Sequence, residues 1–180
     1  MSQIVVTKCM TTETAHRLCN YAGKCAHIHG HSYRWEVTAG LAGGGISEFN
    51  AISVDFVELK EAMRKVIYEP FDHALVLWQD DNLARDDLVP RATDGKVQKV
   101  LILNNNPTAE VFAEFAAYHL QKFFTEMECG EEPGLASRDD AEGTWIDILC
   151  VKVWETADSY GQWSKGNVYA SGSNLSKQAR

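Results

Sequence analysis

The sequence predicts an α+β fold in the order ββ, helix, helix, ββ. Three observations carry it. Short β-rich segments bracket the chain, two stretches with apolar residues at helical spacing occupy its middle, and turn signals separate them all. Residues 4–10 are β-branched and short, and residues 32–39 alternate around Tyr33, Trp35 and Val37, so two strands flank a polar, His-rich connection. Gly43-Gly44-Gly45 marks a turn. From Asp55, the apolar residues Phe56, Leu59, Met63 and Val66 or Ile67 recur at helical spacing, and Pro70 is placed to stop that helix. A second helix starts at Asn106-Pro107-Thr108, where Pro pre-sets φ and Asn or Thr can cap free N–H groups. It continues through Val111, Phe112, Phe115, Leu120, Phe123 and Met127 to end near Gly130. Residues 144–156 alternate Ile146, Ile148 and then Val151, Val153 as a strand, and residues 160–164 complete a hairpin.

The 180 residues are 45% hydrophobic and 23% charged, the profile of a globular chain able to bury its own core; intrinsic disorder and collagen-like repeats are excluded. The domain is expected over residues 1–170, with surface elaborations near 79–105 and 126–143, both acidic, and a disordered tail over 171–180. A net charge of −8 disfavours attraction to nucleic-acid phosphates or anionic membranes. With no apolar run of membrane-spanning length and no signal-peptide pattern at the N-terminus, a cytoplasmic protein is expected. Five cysteines, none in a Cys-x-x-Cys pair, argue against a disulfide framework. Cys9, Cys129 and Cys150 read as small buried packing residues.

The chemistry concentrates after the first strand. His16, His27, His29 and His31 fall within sixteen residues. On an extended backbone His29 and His31 share a face, and a third imidazole from a neighbouring strand would complete a three-nitrogen set that leaves zinc one open position, the mark of a catalytic site. Two other sets fit the spacing as well: His27, His29 and His31, or a closed site of Cys19, Cys25, His29 and His31. Cys25, four residues before His29, is a candidate general base, because zinc and imidazoles nearby would populate its thiolate. Asp72-His73 suits a proton shuttle, an aspartate fixing the tautomer of a histidine. Glu155 ends an otherwise apolar strand, where a carboxylate needs a partner; two parallel N–H bonds from a guanidine-like heterocycle edge would satisfy it.

Several of these blocks coincide. Thr14-Ala15-His16-Arg17-Leu18, Lys24-Cys25-x-x-x-His29-Gly30-His31-Ser32-Tyr33, Val54-Asp55-Phe56-x-x-Leu59-Lys60, Phe71-Asp72-His73, Pro107-Thr108-Ala109-Glu110 and Trp154-Glu155-Thr156 together resemble the 6-pyruvoyltetrahydropterin synthase and 6-carboxytetrahydropterin synthase family. The resemblance implies the tunnelling fold (T-fold): a four-stranded antiparallel sheet backed by two helices, assembled into trimers that pair as homohexamers with active sites at subunit interfaces. It implies that His16, His29 and His31 bind Zn2+, with His27 at a variable position. Cys25 would be the general base, Asp72 and His73 the proton-transfer pair, and Glu155 the anchor of the pterin ring of 7,8-dihydroneopterin triphosphate. Cysteine four residues before His-Gly-His resembles the 6-carboxytetrahydropterin synthases of queuosine and 7-deazaguanine biosynthesis. The expected products are then 6-carboxytetrahydropterin, acetaldehyde and triphosphate, the rival being the pyruvoyl-forming reaction. A non-catalytic zinc-stabilised binding module using Cys19 and Cys25 is the reading from another class. Two packing positions depart from the family pattern, Thr12 in place of an aromatic residue and Val76 in place of leucine.

Overall fold

The structure is a computed structural model that describes residues 3–48, 50–84, 99–129 and 145–166. Strands β1 (Val6–His16) and β2 (His29–Leu41) form a long antiparallel pair. Helix α1 (Phe56–Met63) is capped by Asp55, whose carboxylate accepts the Val57 N–H at 2.7 Å. It runs on through a π-helical segment, Arg64–Tyr68, and a last α-helical turn, Glu69–Phe71. Pro70 therefore does not stop the helix where the spacing predicted. It stands in that last turn, directly after the π-helical segment, and the helix ends at Asp72. Strands β3 (Ala74–Trp78) and β4 (Val100–Leu103), helix α2 (Ala109–Cys129) and the hairpin β5 (Ile146–Trp154) and β6 (Tyr160–Ser164) complete the order.

The sheet has six strands in the order β4-β3-β1-β2-β5-β6. Four of them, β1, β2, β5 and β6, make the expected antiparallel sheet; β3 and β4 extend it on the β1 side in parallel pairing. The two added strands are continuous apolar runs, Ala-Leu-Val-Leu-Trp and Val-Leu-Ile-Leu, with no alternation to identify them as strands. Residues 100–103, expected within a surface elaboration, are thus part of the sheet. Residues 85–98, most of the acidic stretch 126–143 and the tail 171–180 lie outside the described residues. Among the described residues no helix is long and apolar enough to cross a membrane.

The core lies between one sheet face and the two helices. Tyr33, Trp35 and Val37 of β2 and Val151 and Val153 of β5 pack against Leu59, Met63 and Ile67 of the first helix and Phe112, Ala116 and Leu120 of α2, all fully buried. At the close approach of β6 to the start of α2, a Cβ on Gly161 would stand 2.5 Å from the backbone of Ala109, so no larger residue fits there. The pairing of β2 with β5 contains a bulge: Thr38 pairs with Cys150 and Ala39 with Ile148, leaving Leu149 unmatched. The core side of β5 accordingly changes from Ile146 and Ile148 to Val151 and Val153, the switch visible in the sequence.

Thr12, a departure from the family pattern, has a specific task in this core. The Trp35 indole N–H donates to its hydroxyl at 2.9 Å, Thr12 and Thr14 share a hydrogen bond of 2.9 Å, and Thr14 donates to the Phe71 carbonyl at 3.0 Å. With Thr14 spending its proton on Phe71, the direction of the chain is fixed: Trp35 to Thr12 to Thr14 to Phe71. Thr12→Val keeps the shape and strands a buried indole N–H, so a loss of about 1–3 kcal/mol is expected, read from the urea midpoint of unfolding.

Candidate metal centre

Strand register assembles the site. His16, the last residue of β1, pairs directly with His29, the first of β2, and His31 pairs with Thr14 on the same face as His29. Trp154 pairs with Arg34 at the end of β5, which brings the following residue, Glu155, to the same end of the sheet. The bulge gives Glu155 the phase of Val151 and Val153, so it faces the histidines. One donor atom each from His16, His29, His31 and Glu155 lies within 4.8 Å of all the others. The Nε2 atoms of His16 and His29 are 3.1 Å apart, and Glu155 Oε1 is 3.3 Å from Nε2 of both His16 and His31. Donors bound to one zinc ion at ~2.0–2.1 Å in a tetrahedron are separated by about 3.3 Å.

The hydrogen bonds around the rings aim them. His16 Nδ1 donates to the Pro107 carbonyl at 2.6 Å and His29 Nδ1 to the His27 carbonyl at 2.8 Å. In the neutral rings both Nε2 atoms are then acceptors, and two acceptor lone pairs 3.1 Å apart call for a cation between them. His31 Nε2 is buried without a hydrogen-bond partner, an orphan a metal ion would satisfy. Burial lowers the pKa of His16 against the raising effect of the Pro107 carbonyl, which favours the neutral, ligating form. Tyr33 donates to Glu155 Oε1 at 3.0 Å; burial first, and the Glu155 charge second, raise its pKa and keep it protonated. The sequence placed Tyr33 in phase with His29 and His31 without assigning it a role.

The two other ligand sets are not assembled. His27 is exposed, and neither Cys19 nor Cys25 belongs to the cluster. Cys25 sits half-buried on the single turn Lys24–Ala26, and its carbonyl accepts the Leu18 N–H at 2.8 Å, which ties the turn to the end of β1. The sequence expectation for the packing cysteines needs correction: Cys9 is exposed and Cys150 only half-buried, because both fall out of phase with the core-facing residues of their strands, while the Cys129 side chain lies outside the described residues.

Asp72 and His73 do pair, Oδ2 to Nδ1 at 2.8 Å. Burial pushes the Asp72 carboxyl up, but hydrogen bonds from the Glu13 N–H, His73 and Tyr68 outweigh it and hold it below the usual carboxylate range. His73 has φ +55°, left-handed and strained for a non-glycine residue, and its main-chain N–H is held by the Glu13 carbonyl at 2.7 Å. Its side chain is 78% exposed. Among the described residues no hydrogen bond, ion pair or ring contact joins this pair to the histidine cluster of the same chain.

Comparison with known proteins agrees with the fold. The family model for 6-pyruvoyl tetrahydropterin synthase matches residues 5–165. The chain is 32% identical over 138 residues to a 6-carboxy-5,6,7,8-tetrahydropterin synthase of Rickettsia bellii, covering 72% of this chain and 95% of that protein. It is 30% identical over 142 residues to the enzyme of that name from Aquifex aeolicus, covering 79% of this chain and 76% of the relative. Among solved structures, the 6-pyruvoyl tetrahydropterin synthase of Caenorhabditis elegans superposes with a TM-score of 0.54 at 19% identity, over 92% of this chain and 97% of that one. Strand order, helix placement and a match over nearly the whole described chain lead to one conclusion: the protein belongs to the 6-pyruvoyl tetrahydropterin synthase family.

Proposed function

We propose that the protein is a zinc-dependent 6-carboxy-5,6,7,8-tetrahydropterin synthase, a lyase that converts 7,8-dihydroneopterin triphosphate and water to 6-carboxytetrahydropterin, acetaldehyde and triphosphate. The observation that carries this reading is the convergence of three imidazole nitrogens and a carboxylate on a chain whose relatives bear that name. His16, His29 and His31 would hold zinc, since their rings are aimed, two Nε2 atoms are unprotonated and the third is unsatisfied. Bound zinc supplies Lewis acidity toward the side-chain oxygens of the substrate.

The other residues bind and move protons. Cys25, outside the ligand cluster but on a turn tied to the end of β1, takes a carbon-bound proton from the substrate side chain. His73, oriented by Asp72, handles the proton on the opposite side. Its exposure, and its lack of contact with the cluster of its own chain, support a role in the site of a neighbouring subunit, as in a homohexamer built from two trimers. Glu155 anchors the pterin ring by accepting N–H bonds, with Tyr33 fixing its Oε1 and leaving Oε2 for the substrate. The product feeds queuosine or 7-deazaguanine synthesis in the cytoplasm.

Glu155→Gln replaces one acceptor with a donor. Weaker pterin binding by about 1.5–3 kcal/mol with zinc retained is expected, from titration calorimetry and metal analysis. Loss of zinc in this variant would instead make Glu155 a fourth ligand, which its 3.3 Å approach to two histidines permits. The decisive test incubates the zinc-loaded protein with 7,8-dihydroneopterin triphosphate and reads product mass. 6-Carboxytetrahydropterin with acetaldehyde is expected; a 6-pyruvoyl product would move the chain to the other branch of the family, and no turnover with zinc bound would remove the assignment.

A further inference from the structure

Asn106 has no role in the site described above, yet it holds the loop that carries Cys25 and directly precedes the residue whose carbonyl holds His16. Its side-chain amide does for Cys19 what a neighbouring strand would do. The Cys19 N–H donates to Asn106 Oδ1 at 2.8 Å, and Asn106 Nδ2 donates to the Cys19 carbonyl at 2.9 Å. Both main-chain groups of one residue are therefore taken by one planar side chain, a two-point attachment that fixes orientation as well as distance. Next to Cys19, the Leu18 N–H donates to the carbonyl of Cys25 at 2.8 Å. The loop leaving β1 thus closes on itself between residues 18 and 25, and Asn106 pins the closed loop at residue 19.

The other side of Asn106 leads to the metal ligands. Its carbonyl accepts the Thr108 N–H at 2.8 Å, which holds the turn before α2, and the next carbonyl along, that of Pro107, accepts from His16 Nδ1. Residues 106 and 107 consequently hold the Cys25 loop and the His16 ring from one short rigid segment. A second anchor of the loop, the bidentate pair of Arg17 with the fully buried Asp81 at 2.7 and 2.8 Å, lies at its β1 end and leaves the Cys25 side to Asn106.

We propose that Asn106 is a positioning residue that, through the main chain of Cys19, sets where Cys25 stands relative to His16, His29, His31 and Glu155. The proposal rests on the reading of Cys25 as the base, and its test is built to separate the two. Zinc-loaded Asn106→Ala and Asn106→Asp are compared with the parent protein in steady-state turnover and in the rate of iodoacetamide alkylation of Cys25 and Cys9, resolved by mass spectrometry. In Asn106→Ala, kcat is expected to fall by up to about 100-fold, the cost of misplacing a reacting group by ~1 Å, with KM little changed and zinc retained. The alkylation rate of Cys25 shifts several-fold while that of the exposed Cys9 stays constant. Asn106→Asp keeps the acceptor for the Cys19 N–H and the size of the side chain, so it stays folded and falls between the two. Parental Cys25 alkylation in both variants, or Cys25 and Cys9 changing in parallel as in general loosening, would overturn the proposal. Should the parent protein fail to turn over the triphosphate, the enzymatic reading falls, and the alkylation rates alone still decide the role of Asn106.

Discussion

Cys25→Ala is expected to leave one zinc per chain in place and to lower kcat by about 10²–10⁴-fold, the range for losing a positioned general base. The two halves of that expectation rest on different observations. Zinc is retained because the Cys25 sulfur is absent from the group of donor atoms formed by His16, His29, His31 and Glu155. Turnover is lost because Cys25, on a turn tied to the end of β1 through the Leu18 N–H, is the proposed base. Alanine removes the thiol without introducing a larger group, so the turn keeps its main-chain hydrogen bonds. Metal analysis together with single-turnover kinetics checks both. A variant that loses zinc in proportion to activity would make the sulfur a ligand, and one with near-parental kcat would pass the role of base to another group.

His29→Ala is expected to give the opposite pattern, a folded protein with neither zinc nor turnover. Its Nε2 faces that of His16 at 3.1 Å, so its removal deletes one corner of the donor set and relieves the crowding of the two lone pairs. The loss in zinc affinity exceeds the ~10–100-fold that outer-shell changes cost. Folding survives because His29 lies at the open end of β2, outside the fully buried core that begins at Tyr33. The same change at His16 would combine two effects, since that ring is itself buried and packs against Phe112. Far-UV circular dichroism matching the parent, with zinc near zero after dialysis, would meet the expectation. Full zinc content would mean that the remaining three donors suffice.

Much of this was readable from residue spacing. His29 and His31 alternate on a strand and His16 closes the preceding one, so their convergence follows from a two-residue period and an antiparallel turn-back. The spacing left three ligand sets open, and the register, His16 opposite His29, brings one of them together among the described residues. Glu155 stood out as a carboxylate ending an apolar strand. Its approach to the histidines needed a pairing irregularity whose trace in the sequence, the change from Ile146 and Ile148 to Val151 and Val153, was visible but not interpretable from one strand alone. β3 and β4 escaped because continuous apolar runs of five and four residues carry no period. The π-helical passage ahead of Pro70 escaped because apolar spacing does not distinguish i+4 from i+5 bonding over one turn. Thr12 read as a packing departure; its hydroxyl acquires meaning only beside the Trp35 indole, which pairing across strands supplies.

The unmatched Leu149 makes the site a matter of counting. Because side chains alternate, one extra residue in β5 decides which of two neighbours, Trp154 or Glu155, is handed to the histidine side. Substitutions along the strand leave that count intact. A pairing of β5 with β2 that ran on regularly from Ile146 opposite Leu41, with no residue left over, would present the Trp154 indole to the histidines in place of the Glu155 carboxylate and turn Val151 and Val153 out of the core together. What β5 must keep, in evolution and in engineering, is the pairing of Val151 with Val37 and of Val153 with Trp35, and loss of the spare residue Leu149 itself would leave that pairing in place.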